Sequence, residues 1–179
     1  ALVATITAKS GLTLKLFKTA VAGATGAKVY CDNSAIVAAA VAATLTLPWT
    51  LRIPSGSFAF SEYIRLSFKP GLTFAGKGAA ASTLFSPDGV PSMHIIAQQA
   101  NGLVCKDFHL KGNWGLNGFG LFYGVYATET NITQGRAYPA GIFFSQGTGN
   151  IAQDLTITDV PQQAVVASAC IDAWAYRCV

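Results

Sequence analysis

The sequence predicts an all-β chain that folds as a parallel β-helix, or β-solenoid, with one α-helix near its N-terminal end. Three observations predict it: short apolar runs after Thr50, a repeat with a period of 47 residues, and a single helical segment before Pro48. The runs are each about 3–7 residues long, with Gly, Pro, Asn or Asp between them. No helix-length pattern follows any run, which excludes a βαβ architecture and leaves a sandwich, a barrel or a solenoid.

The repeat selects the solenoid, because residues 93–112 align without a gap on residues 140–159. Identical pairs are Ile95/Ile142, Gln99/Gln146, Gly102/Gly149 and Asp107/Asp154. Apolar pairs are Ile96/Phe143, Ala97/Phe144, Val104/Ile151, Phe108/Leu155 and Leu110/Ile157. In a parallel β-helix each coil lies on the one before it, so equivalent inward side chains stack in columns. A propeller would need hairpins with tight two-residue turns, which the sequence does not show.

The two repeated aspartates, Asp107 and Asp154, are interpreted as structural residues. A carboxylate beside a corner can accept hydrogen bonds from the N–H groups of the turn. The rival interpretation is a catalytic carboxylate pair on a cleft. The structural interpretation is preferred, because recurrence in a strand-turn motif already explains both residues.

The stretch DNSAIVAAAVAATL predicts the helix, over about residues 34–43. Its alanines favour helix, and the side chain of Asn33 or Ser34 can accept from the free N–H groups of the first turn. Its surface is apolar nearly all round, so we expect it to be buried on more than one side.

Residues 1–30 are predicted to form a small β-rich attachment or linker segment. Residues 1–80 carry a net charge of +6 and residues 81–179 a net charge of −2, from the chain's 12 basic and 8 acidic residues. The basic residues of the first segment form either a solvated face or a docking surface for an acidic partner. Nucleic acid is not an expected partner, because the aromatic residues cluster elsewhere. No apolar run is long enough for a membrane span, and the N-terminal residues lack the features of a signal peptide.

Three stretches in order resemble a known family. DNSAIVAAAVAA, LRIPSGSFAF and GLTFAGKGAAASTLF resemble the opening helix, the Ile-Pro-x-Gly strand and the first Gly-rich coil of pectate-lyase-like β-helix domains. The resemblance covers residues 32–112 well and 140–179 loosely. It implies a right-handed parallel β-helix over residues 31–179, with the helix capping its N-terminal end. It also leads us to expect that the β-helix continues beyond Val179 or that a partner covers its end.

The motif set is common in bacteriophage tailspikes and capsule depolymerases, and this implies a function. The expected protein is a virion tail component, a homotrimer that recognises host surface polysaccharide and attaches to other tail or baseplate proteins through residues 1–30. Whether it also degrades the polysaccharide is left open. The alternatives are a cellular, secreted polysaccharide lyase or glycoside hydrolase, and a purely structural virion protein.

No catalytic residue, metal site or cofactor is predicted. His94 and His109 are interpreted as core or surface histidines, and GKGAAAST lacks the spacing of a phosphate-binding loop. No two of the cysteines have the C-x-x-C spacing of the usual zinc and redox motifs, so neither kind of motif is present. We expect free buried thiols rather than a Cys170–Cys178 bridge.

One segment could bind a partner, because residues 113–139 interrupt the repeat and are rich in aromatic residues. These are Trp114, Phe119, Phe122, Tyr123, Tyr126 and Tyr138. Long insertions on a repeat scaffold are often functional, and aromatic faces suit sugar rings. Subunit contact, core packing and sugar binding all remain open for this segment.

Overall fold

The chain divides into two compact units, Ala1–Tyr30 and Cys31–Val179. The computed structural model describes residues 6–10, 13–16, 30–44, 48–87, 95–112, 140–160 and 163–179. In the first unit, strands β1 (Ile6–Ser10) and β2 (Thr13–Leu16) pair antiparallel. The second unit is a right-handed parallel β-helix of three sheets and one helix.

The helix α1 (Ser34–Ala43) covers the N-terminal end of the β-helix, with Val41 buried and Val37 packed against the core. The expectation that it is buried on more than one side is wrong. Ile36 is 65% exposed, and the alanines beside it also face solvent. An alanine-rich helix exposes little apolar area per residue, so one buried stripe is sufficient to hold it.

The start of α1 is held differently from the predicted cap. Asn33 occupies the N-cap position but its side chain makes no capping hydrogen bond. The carboxylate of Asp32 instead accepts from the Ser34 N–H (3.0 Å) and hydroxyl, and from the hydroxyl and N–H of Ser61. Asp32 therefore ties the helix to the first coil as well as satisfying its first free N–H.

The first sheet carries the first strand of each coil, or rung. Its described strands, in spatial order, are β3 (Thr50–Arg52), β6 (Thr73–Ala75), β9 (Val104–Lys106), β12 (Ile151–Gln153) and β15 (Trp174–Tyr176). The middle residues form a column that belongs to the core: Leu51, Phe74, Cys105 and Ala152.

The second sheet follows directly in each rung. Its described strands are β4 (Gly56–Ala59), β7 (Ser82–Phe85), β10 (His109–Lys111) and β13 (Thr156–Thr158). The core column of this sheet is Phe58, Leu84, Leu110 and Ile157.

The third sheet completes each rung, and part of it is buried on both faces. Its described strands are β5 (Ile64–Arg65), β8 (Ile95–Gln98), β11 (Ala140–Ser145) and β14 (Gln163–Ser168). Ile95 and Ile142 lie in the core column. Ile96 and Phe143 alternate with them on the opposite face and are buried too. In contrast, β15, the last described strand of the first sheet, exposes its outer face to solvent.

The predicted repeat is confirmed as the register of neighbouring rungs. Ile95 pairs with Ile142, Val104 with Ile151 and Leu110 with Ile157, the partners that the alignment proposes. Within the described ranges the strands form four complete rungs, and β15 begins a fifth. The runs VCKDFHL and IAQDLTI each contain two strands with a corner between them, rather than one strand.

The rungs differ in length mainly at one place, the corner between the second and third sheets, which we call the insertion corner. Gln153 and Tyr176 are partners separated by 23 residues, whereas Gln99 and Gln146 are separated by 47. The additional residues, 113–139, join β10 to β11. The 47-residue period is therefore a short rung enlarged by an insertion.

The corner between the third and first sheets has a constant length in the last three rungs and requires special backbone conformations. Gly102 and Gly149 both have φ of +66°, which L-residues with side chains adopt reluctantly. Gly147 is required for space, since a Cβ there would lie 2.0 Å from the carbonyl oxygen of Ala100. Backbone geometry thus explains the repeated glycines.

Candidate functional site

The six predicted aromatic residues, Trp114, Phe119, Phe122, Tyr123, Tyr126 and Tyr138, lie outside the described residues. The two stems of their segment are described and lie within the sheets. Gly112 donates its N–H to the carbonyl of Thr158 (2.9 Å), and Ala140 is a buried residue of β11. The segment is therefore joined at its two ends to consecutive strands of the scaffold, β10 in the second sheet and β11 in the third.

Polar side chains border the insertion corner on the outer face of the second sheet. The Nε2 atom of His109 lies 2.9 Å from the hydroxyl of Thr158, and the ammonium of Lys111 lies 3.8 Å from a carboxylate oxygen of Asp159. Partial burial and the charge of Lys111 lower the pKa of His109, although Asp159 opposes this. His109 is therefore mostly neutral at pH 7, and it is half-buried on the outer face of the second sheet, whereas the sequence left core and surface positions open.

Asp107 and Asp154 occupy the corner between the first and second sheets, as predicted, but for a different reason. Their φ values are +61° and +52°, and aspartate tolerates this left-handed conformation better than most residues. Their carboxylates form ion pairs with Lys106 and Arg177. In the described part of the chain, no backbone N–H donates to either carboxylate, so the predicted turn hydrogen bonds are wrong.

The environment of Asp154 argues against a role as a general acid. Hydrogen bonds from Arg177 and then from Gln153 lower the pKa of Asp154 to about 2. A general acid in glycoside hydrolysis needs a raised pKa, because it must hold a proton near neutral pH. Asp154 is thus held ionised by its neighbours, which is consistent with a structural role.

The described cysteines are free thiols, as expected, but only one of the four is buried. Burial raises the pKa of the Cys105 thiol to about 12, so it is not a nucleophile at neutral pH. Cys31 is exposed, and Cys170 and Cys178 are half-buried against the core. The prediction of four buried thiols is therefore wrong for three of them.

Polar ladders on the third-to-first corner hold the scaffold together. Asn150 is fully buried, donates to the carbonyl of Ala100 (2.8 Å) and accepts from the N–H of Leu103 (3.0 Å). The side-chain amides of Gln99 and Gln146 bond to each other at 3.3 Å. These contacts pair one rung with the next at this corner.

Acidic residues are dispersed over the described surface. Within the described ranges, no group of three His, Cys, Asp or Glu side chains is placed to hold a metal ion. Glu129 and His94 lie outside these ranges. In the same ranges, no helix combines the length and the apolar character of a membrane span.

The sequence patterns did not indicate strand β15, whose outer face carries Trp174 and Tyr176. The signal available was the Trp-Ala-Tyr alternation, 23 residues after the Ile-Ala-Gln of β12. Only the alanine is shared between these triplets, so the pattern is weak without the structure.

No protein-family model matches the chain, and neither a curated protein nor a solved structure matches it. The family resemblance therefore rests on the motif residues, together with the stacked parallel sheets that it implies.

Proposed function

We propose that this chain is part of a virion tail component, of the tailspike or tail-fibre kind, that recognises polysaccharide on the host surface. The observation that carries the proposal is an aromatic-rich insertion anchored at one corner of a rigid parallel β-helix. The motif set that resembles tailspike and depolymerase domains supports the same function.

The scaffold suits recognition of an extended polymer. Stacked rungs repeat at about 4.8 Å, so a β-helix presents equivalent side chains in long straight columns. Loops that leave such a scaffold can vary without disturbing the core. Aromatic rings on those loops would stack on the apolar faces of sugar rings, while tyrosine hydroxyls bond to sugar hydroxyls.

Assembly is the second part of the proposal. We propose a homotrimer, with residues 1–30 attached to other virion tail or baseplate proteins. An aromatic insertion can lie in a subunit contact, because aromatic residues are enriched in interface cores. The proposal therefore allows the insertion to contribute to both assembly and binding.

Binding to immobilised bacterial polysaccharides tests this function. Purified capsular polysaccharides and smooth lipopolysaccharides are arrayed, and the unaltered chain is applied. Binding to a subset of the array is expected. Replacing Trp114 with Ala should weaken that binding, whereas the matched control Trp49→Ala should not.

The outcomes separate the alternatives. Oligosaccharides released from a bound polysaccharide would show that the protein is a lyase or hydrolase. Binding without release would leave a non-catalytic receptor-binding protein. No binding to any polysaccharide on the array, by a folded protein, would overturn the proposal in favour of a purely structural role.

A further inference from the structure

The outer face of the first sheet carries two exposed aromatic side chains on one strand. Trp174 is 63% exposed and Tyr176 is 41% exposed. They are two residues apart in β15, so they point to the same side and lie about 6.6 Å apart along the strand. Ala175, between them, continues the column of Cys105 and Ala152 on the opposite side.

Two columns of side chains extend from these aromatics to the neighbouring strands. Trp174 lies beside Ile151, and Tyr176 lies beside Gln153, which in turn lies beside Lys106. The first column is apolar and the second is polar. The surface thus has an apolar strip and a hydrogen-bonding strip side by side.

The polar strip is held in place by its own hydrogen bonds. The hydroxyl of Tyr176 donates to Oε1 of Gln153 (2.5 Å), and Nε2 of Gln153 donates to Oδ2 of Asp154 (2.7 Å). Nη2 of Arg177 donates to the same carboxylate oxygen (2.7 Å), and the guanidinium lies 5.0 Å from the centre of the Tyr176 ring. Groups fixed before binding lose less entropy when a ligand arrives.

The charges of this surface balance. Lys106 forms an ion pair with Asp107, and Arg177 forms an ion pair with Asp154. An acidic polymer would therefore meet as much repulsion as attraction. An uncharged ligand rich in hydroxyl groups would meet donors and acceptors without having to displace an ion.

We propose that the surface formed by Trp174, Tyr176, Gln153, Asp154 and Arg177 binds a segment of neutral polysaccharide. A sugar ring stacks on the exposed indole of Trp174, and its hydroxyls bond to the amide, carboxylate and guanidinium of the polar strip. This inference rests on the proposed function and names a second binding surface, separate in sequence from the insertion.

A stable protein partner fits this surface less well. The cores of protein interfaces are depleted of charged residues, whereas four charges lie within this small area. The apolar strip runs from Trp174 through Ile151 to Val104, and the last two are half-buried, so the strip exposes less apolar area than such an interface needs.

The test uses the full chain and an array that holds neutral O-polysaccharides and acidic capsular polysaccharides. Trp174→Ala is compared with Trp49→Ala, a control at the residue directly before β3, which is 48% exposed. We expect at least about a tenfold loss of affinity for neutral polysaccharides from Trp174→Ala. The control should stay within about twofold of the unaltered chain.

A second variant tests the same surface at a different residue. Tyr176→Phe keeps the ring but loses the hydroxyl that bonds to Gln153, and it should weaken the same binding about threefold to tenfold. Thermal unfolding of both variants should match that of the unaltered chain, because both side chains are exposed.

The results distinguish this inference from the proposed function. If the unaltered chain binds no polysaccharide, both fail. If it binds and neither variant changes the affinity, this surface is not the site and the proposed function stands. Binding restricted to acidic polysaccharides, or loss of self-association instead of sugar binding in Trp174→Ala, would also overturn the inference.

Discussion

The two ends of the described β-helix are built differently. At the first rung, α1 covers the core, and Ile64 is only 3% exposed. In the last described strands, Val165 and Ala175 continue the columns of Ile142 and Ala152, which are 0% exposed, yet Val165 is only half-buried and Ala175 is exposed. In a solenoid each rung is stabilised by the neighbours on its two sides. The comparison shows that a place in a core column does not by itself bury an apolar residue, since Val165 and Ala175 lie on strands with a described neighbour on one side only.

The cover at the first rung combines apolar contact with hydrogen bonding. Val37 and Val41 pack on the core, and the Asp32 carboxylate joins the start of α1 to Ser61. At the end of the helix, the ammonium of Lys69 donates to the carbonyl of Thr44 (2.5 Å). Both ends of α1 are thus fixed to the first rung, which explains how a helix with one buried stripe stays in place.

The largest expected difference between the two ends lies in one column of the third sheet, formed by Ile64, Ile95, Ile142 and Val165. Ile64→Ala should lower the free energy of unfolding by about 2–5 kcal/mol, because it removes a buried side chain and leaves a cavity. Val165→Ala should lower it by no more than about 1 kcal/mol, because that side chain is smaller and only half-buried. Denaturant unfolding of both variants measures this. Equal losses would show that the last rung is covered as well as the first.

A smaller effect is expected at the corner that joins the third and first sheets. Asn150→Ala should destabilise the chain by about 2–4 kcal/mol, because it leaves a buried N–H and a buried carbonyl without their partners. The equivalent position in the last rung is Ala173, so that rung has no such clamp. Asn101→Ala is the exposed control, and its loss should be below about 1.5 kcal/mol. A result in which the control costs as much would contradict the role of burial.

Acid is expected to weaken the attachment of α1 to the first rung, because it protonates the carboxylate of Asp32. Burial alone would raise the pKa of Asp32, but hydrogen bonds from Ser34 and Ser61 outweigh it and lower the pKa below its usual 3.8. Its stabilisation is therefore complete above about pH 4 and is lost as the pH falls through the lowered value. Asp32→Asn should be less stable at pH 7, by about 1 kcal/mol, because it loses hydrogen bonds to a charged acceptor, and this gap should close in acid. A gap that persists at pH 2 would contradict the assignment.

The smallest effect is expected from the ion pair of Asp154 and Arg177, beside the last described strand. Asp154 also has a lowered pKa, about 2, so its contribution likewise disappears as the pH falls from about 4 to 2. The pair is exposed to solvent, where salt screens it and its net contribution is small. Asp154→Asn should thus change the acid unfolding curve less than Asp32→Asn does. A larger change would mean that this ion pair contributes more to the stability of β15 than an exposed pair should.

The sequence predicted the register of the β-helix because inward apolar residues must stack in columns. Phe108 and Leu155 illustrate this, since both are buried at equivalent positions. It failed on the exposure of α1, because an alanine stripe is equally compatible with a covered and an open face. It also failed on the carboxylate of Asp154, because its partner Arg177 lies on the adjacent rung.

The candidate surfaces were predictable to different degrees. The insertion could be located because it breaks a repeat. The surface around Trp174 could not, since its residues come from β12, β15 and the corners beyond them. Only the pairing of these strands brings Gln153 beside Tyr176 and Asp154 beside Arg177.

Amide hydrogen exchange along the chain tests the central claim most directly, since it reports how well each rung is covered. We predict slow exchange for the amides of β8, β9 and β11, which lie between neighbouring strands, and intermediate exchange for the first rung under α1. The amides of β14 and β15 should exchange fastest among the strands of the β-helix. Protection of β15 equal to that of β9, or loss of protection in α1 before β15, would contradict the account.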